Sequence, residues 1–126
     1  MRRRDEQTLA ALCHFFNAIP IWGMIFSGFV LFDNREKSRF LAAQARQALL
    51  FHGLFLAVIV VWMLVELVTA LLNALFAPLG SLLRFLNHVI VSAALIGFVG
   101  VCVWGGLRAW AGEFFRYPFI GDRLQL

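Results

Sequence analysis

Three long apolar runs organise the chain: Leu9 to Phe32, Ala48 to Ala77 and Leu82 to Ala111. A helix needs about 20 residues, rising about 1.5 Å each, to cross the hydrocarbon of a bilayer. The second and third runs exceed that length and can tilt or extend past it. The pattern predicts an all-α, integral membrane helical protein with three apolar segments. It reads as a single membrane domain over residues 1–126, with membrane segments at about 9–32, 48–77 and 82–111.

Polar positions between the runs supply the connections. In REKSRFLAAQARQALLFH, residues 35–52, Phe40, Leu41, Ala45, Ala48 and Leu49 recur at helical spacing, while Arg39, Gln44, Arg46 and Gln47 are distributed elsewhere. That predicts an amphipathic helix entering segment two, interfacial over residues 35–47, lying at the headgroup boundary. APLGS, residues 77–81, is punctuated by Pro and Gly and predicts a tight turn. Segments two and three then form an antiparallel hairpin. The first segment is broken at Pro20, which removes a backbone donor, with Asn17, Gly23, Ser27 and Gly28 around it. Broken helices at membrane depth persist only where protein or a cavity covers the freed backbone groups.

Basic residues favour the cytoplasmic side. If segment one crosses once, Arg2, Arg3, Arg4 and Arg84 share one side and the other seven Lys/Arg lie opposite. If it is a re-entrant hairpin bent at NAIPIWG, ten lie together and Arg84 stands alone. The charge rule prefers the hairpin, yet each limb would reach only about 15 Å, and three full crossings are the topology expected. Either way the loop 33–39 and the C-terminus are expected in the cytoplasm. The basic start MRRR is followed at once by Asp5 and Glu6 and by no small-x-small cleavage site, so no signal peptide is expected.

Composition excludes the soluble alternative. The chain is 62% hydrophobic and 14% charged, against about 45–50% and about 25% for soluble domains. A water-soluble fold of 126 residues cannot bury that much apolar surface. The net charge of +4 comes from short flanks of apolar runs, not from a basic stripe with stacking aromatics, so nucleic acid is not an expected partner. Cys13 and Cys102 sit in apolar stretches without metal or disulfide spacing and read as small hydrophobes.

Polar residues inside the runs define faces. His52, Glu66 and Asn73 are separated by fourteen and seven residues, which keeps them on one side of a helix. Ser81, Arg84, His88 and Ser92, with Asn87 adjacent, mark a face of segment three. Polar groups in hydrocarbon point toward protein. With the turn near Leu79, Glu66 lies at the depth of Ser92, one helical turn beyond His88. Glu66, Arg84, His88 and Asn73 are therefore expected to form an intramembrane polar clamp. Ala93, Gly97, Gly100 and Gly105 are small enough for close helix packing, within the chain or against a second subunit. His14, His52 and His88 come from three segments without paired ligand spacing, so no metal site is expected. No catalytic constellation, cofactor motif or phosphate-cradling loop is present in the sequence, and an enzyme is not expected.

The tail, residues 112–126, contains GEFFRYPF. Phe114, Phe115 and Tyr117 suit the interfacial aromatic belt, Arg116 and Arg123 can meet phosphates, and Pro118 stops any helix. This tail, together with AAQARQALLF, resembles the small bacterial membrane family of the magnetosome proteins MamF and MmsF, related to a multi-helix core subunit of the chloroplast inner-envelope translocon. Family members carry an early His, a HAKQALNFQ-like start to the next segment and a closing GExYRYP. The matching positions are His14; Gln44, Arg46, Gln47 and His52; and Gly112, Glu113, Arg116, Tyr117 and Pro118. Gln44 stands where the family often has His. The resemblance implies a bacterial inner membrane, or an invagination of it, and implies this architecture more firmly than any activity. The function expected is a non-enzymatic membrane protein that self-associates or serves as an accessory subunit of a larger membrane complex. A transport or protein-translocation component is the alternative. The expected partners are the lipid bilayer and other membrane subunits or a second copy.

Overall fold

In the computed structural model, which describes residues 2–118, the apolar runs become four helices: α1 (Arg3–Phe16), α2 (Trp22–Asn34), α3 (Arg39–Leu75) and α4 (Ala77–Trp110). Among the described residues every regular element is helical. The chain gathers into two compact units. One comprises the residues up to Leu54 and those from Val99 onward; the other is Phe55–Phe98. Arg123 lies outside the described residues.

The first apolar run, broken near Pro20, forms two short helices that pack against each other. At 14 and 13 residues, each rises only about 20 Å, against about 30 Å of hydrocarbon. α1 begins at Arg3, ahead of the apolar run, because Asp5 Oδ2 accepts the Arg2 backbone N–H at 3.2 Å and holds the first turn. It ends at Phe16, with Asn17 as its C-cap. The reversal is tight. Trp22 N–H donates to the Pro20 carbonyl at 2.8 Å, closing a γ-turn on Ile21 at φ 67° and ψ −54°. Positive φ is strained for a β-branched residue. Gly23 follows, and a Cβ there would collide with the Phe16 carbonyl and the Asn17 backbone, so glycine lets α2 start directly against the end of α1.

The arginine-bearing ends of this pair lie together. Glu6 shares a cleft with Asp33, Asn34, Lys37 and Ser38, and Arg3 shares one with Phe40, Gly112 and Phe114. Ser38 then caps α3, its Oγ accepting the Leu41 N–H at 3.2 Å. The apolar core of this unit is largely alanine: Ala10, Ala11, Ala45, Ala48 and Ala109, with Cys13, Val30 and Leu41. Small side chains bring helix backbones close together.

α3 and α4 are 37 and 34 residues long, and both are long and apolar enough to cross a membrane. Only 6% and 22% of the residues in their most apolar stretches are buried, so neither is the covered core helix of a soluble protein. The connection differs from the expected turn at 77–81. Phe76 alone separates the helices: its N–H donates to the Leu72 carbonyl at 2.7 Å, and its carbonyl accepts the Gly80 N–H at 3.1 Å. Pro78 lies in the first turn of α4, where a missing N–H costs nothing. Gly80 abuts the Asn73 backbone so closely that a Cβ would clash.

Candidate functional site

The buried polar residues of the first unit converge on the tail. α4 ends in a glycine cap: the Gly112 N–H bonds the Ala109 carbonyl and the Glu113 N–H bonds the Arg108 carbonyl, both at 3.0 Å, with Gly112 at φ +80°. This reciprocal pattern requires a left-handed residue after the last turn. The Gln7 side chain occupies the space a Gly112 Cβ would need. Glu113 pairs with Arg108.

Beyond the cap, inward and outward side chains alternate from Phe114 to Tyr117. Phe115 and Tyr117 are buried, while Phe114 and Arg116 are exposed. Such alternation is what an extended chain produces. Phe115 and Tyr117 therefore depart from the expected interfacial belt, because they fill the protein interior. Gly105 makes room for them: a Cβ there would lie 2.9 Å from two Phe115 ring carbons and 3.3 Å from His14 Nδ1. Tyr117 stacks on Phe51 with ring centroids 4.0 Å apart.

Three elements meet at His14. Its Nδ1 lies 2.6 Å from the Tyr117 hydroxyl and its Nε2 lies 2.8 Å from Gln44 Oε1. The Gln44 amide nitrogen donates to the Phe115 carbonyl at 3.4 Å, which leaves Oε1 as an acceptor. His14 Nε2 must then carry the proton, and Nδ1 must accept from the Tyr117 O–H. The ring is neutral by geometry. Burial agrees, pushing the imidazole down to about 4 despite an upward pull from Gln44. Burial also pushes the Tyr117 phenol well above its ordinary range, so it keeps its proton. One helical turn along α3, Gln47 Oε1 accepts the Tyr117 backbone N–H at 3.2 Å. Asn17 Nδ2 donates to the Ala48 carbonyl at 2.7 Å, and His52 is buried one turn further along α3.

This explains Gln44 where the family often has His: its amide supplies an acceptor for His14 and a donor for the tail at once. Both His14 nitrogens are engaged, so neither is open to a metal or a substrate proton. Among the described residues no three His, Cys, Asp or Glu side chains gather as a metal site. Of the motif positions, the structure brings together His14, Gln44, Gln47, Gly112 and Tyr117, and His52 is buried on α3; Arg46, Glu113, Arg116 and Pro118 are exposed. Sequence reasoning misses Asn17, Gln7 and Phe51 as parts of this cluster. Only Asn17 carries a signal, as an amide inside an apolar run.

In the second unit Arg84 Nε donates to Glu66 Oε1 at 2.7 Å, Asn87 Nδ2 donates to Glu66 Oε2 at 3.1 Å, and His88 Nδ1 lies 3.8 Å from Oε2. Ser81 donates to Asn73 Oδ1 at 2.8 Å. Asn73 thus joins Ser81 rather than Glu66. With the turn at Phe76, Glu66 faces Arg84 and Asn87 and not Ser92. Ala93, Gly97 and Gly100 are exposed, and a Cβ at either glycine would meet nothing, whereas Gly105 is consumed by the His14 cluster. No curated protein and no solved structure gave a match to the chain. Residues 5–124 match the magnetosome magnetite crystal formation protein family, MamF/MmsF, and the chain belongs to that family.

Proposed function

We propose that this protein is a non-enzymatic membrane subunit that works by lateral association, with itself or with a larger complex, in the membrane where magnetite crystals form. The observation that carries this reading is the uncovered apolar surface of the two long helices, with an open small-residue stripe at Ala93, Gly97 and Gly100 on α4. Small residues let a second helix approach closely enough for dispersion contacts to hold it in lipid. In this reading α3 and α4 cross the bilayer and the folded-back α1–α2 pair does not. Arg84 is the one Lys/Arg between residues 55 and 98. The other nine described Lys/Arg then fall on one side, as the charge rule favours for the cytoplasmic face. Glu66, with Arg84, Asn87 and His88, clamps the crossing hairpin.

The test is association in nanodiscs or mild detergent by sedimentation. Wild type should run as a defined oligomer, and Gly97→Leu should shift it toward monomer while leaving its thermal midpoint unchanged. A wild-type protein that is monomeric at all concentrations overturns the reading. Translocation through a hydrated path is less favoured, since both His14 nitrogens and both Glu66 oxygens are already engaged.

A further inference from the structure

We propose that the groove lined by Arg35, Arg39, Arg46 and Arg116 binds a phosphate-bearing anion. The four side chains come from three parts of the fold. Arg35 caps the C-terminus of α2, Arg39 opens α3, and Arg46 follows seven residues later on the same face. Arg116 arrives from the tail. Ala42 and Ala43 line the groove between the α3 arginines, and Phe114, set edge-on to Phe40 at 5.1 Å, adds an apolar wall. Among the described residues no acidic side chain lines the groove. Its volume is about 590 Å³, within the range of about 300–1,000 Å³ for ligand sites and larger than a bare ion needs.

Guanidinium groups that line one groove attract an anion. Glu36 reaches Arg35 at 3.7 Å, with both side chains exposed, so water screens that pair. Arg35 also lies over the Phe32 ring at 5.3 Å. Planar guanidinium forks match phosphate oxygens two at a time. The first turn of α3, whose Leu41 N–H is taken by the Ser38 hydroxyl, adds the positive end of its dipole.

Preorganisation also favours binding. Arg116 sits between two buried anchors, Phe115 and Tyr117, and the Tyr117 backbone is pinned to Gln47 and its hydroxyl to His14. The tail therefore presents Arg116 from a fixed extended segment, and the ordering cost is met by folding rather than by binding. The groove includes the first residues of α3, where polar sequence gives way to the apolar run. A phospholipid headgroup and a free phosphate ester share the chemistry the groove recognises.

Full-length protein, delipidated in a neutral detergent, is titrated with phosphatidylglycerol, phosphatidylcholine and inorganic pyrophosphate. Native mass spectrometry counts bound lipid and calorimetry follows pyrophosphate. Phosphatidylglycerol should bind in preference to phosphatidylcholine. The double variant Arg46→Gln, Arg116→Gln should lose at least about tenfold in affinity, and Arg4→Gln, in the same unit but outside the groove, should bind as wild type. Arg46→Lys with Arg116→Lys keeps the charge without the forks and should fall between, which separates recognition from misfolding. Binding of phosphatidylglycerol alone assigns a lipid headgroup, and added pyrophosphate binding assigns a free phosphate ester. Binding of neither anion, or equal binding by wild type and the Gln variant, overturns the proposal.

Discussion

The two units solve the same problem in opposite ways. In the first unit, α1, α2, the start of α3, the end of α4 and the tail enclose His14, Asn17, Gln44, Gln47 and Tyr117, all buried. In the second, two helical stretches leave Leu64, Leu67, Leu71, Phe85 and Ile90 more than half exposed and concentrate polarity on Glu66 and its partners. One is built like a small soluble core around a hydrogen-bond network. The other relies on its surroundings to cover it. The contrast locates the work of the family motif: the closing GEFFRYP locks the first unit, while a few polar contacts join the helices of the second and its apolar faces stay uncovered.

The largest expected effect is Tyr117→Ala. It removes the Phe51 stack and leaves His14 Nδ1 without its donor, while the released tail would take the Tyr117 N–H away from Gln47. Loss of a buried aromatic costs about 3–5 kcal/mol, so the first unit should unfold well below the wild-type midpoint in detergent. Tyr117→Phe, which removes only the hydroxyl, should cost about 1–3 kcal/mol.

Acid comes next. His14 is held neutral in the folded chain, with its imidazole lowered from 6.5 to about 4. A depressed histidine stabilises the fold above its unfolded value, and that contribution is lost as pH falls from about 6.5 through about 4. Each tenfold difference in proton affinity between folded and unfolded chains corresponds to about 1.4 kcal/mol, so the loss approaches about 3 kcal/mol. Thermal midpoints between pH 7 and pH 4 measure it, and His14→Gln should flatten the profile. The acid sensitivity should track tail release, seen as protease access near Arg116.

Much of this contrast is legible in the sequence, and the rest is hidden for physical reasons. The length of the apolar runs marks α3 and α4, and seven-residue spacing puts Glu66 on an inward face. The register of the hairpin is obscured because Pro78 and Gly80 look like turn residues, whereas helix starts accept proline and Gly80 serves a close approach to Asn73. Hydropathy cannot see the γ-turn at Ile21 that divides the first segment into two packed helices. The aromatic tail reads as interfacial because Phe115 and Tyr117 have the composition of a membrane belt. Their inward alternation depends on the Gly112 cap, which only backbone geometry reveals.

Gly112→Ala probes that cap. It forces a Cβ into positive φ and into Gln7, at a cost of about 1–3 kcal/mol. Adding Gln7→Ala should recover the steric part and not the conformational part, which a double-mutant cycle on thermal midpoints resolves. The smallest effect belongs to the second unit. Glu66→Leu removes the acceptor for Arg84 and Asn87, and polar contacts within membranes contribute about 0.6 kcal/mol on average and up to about 1.7. The variant should lower the midpoint modestly without altering protease access at the tail.

The proposed membrane role requires lipid to cover the exposed faces of α3 and α4. Single spin-labelled cysteines at Val61, Leu64, Leu71, Phe85 and Ile90 in liposomes probe this cover through collision with oxygen and with a water-soluble nickel chelate. High oxygen and low nickel accessibility at all five positions is the result expected. High nickel accessibility along those faces would mean that water, not lipid, surrounds them.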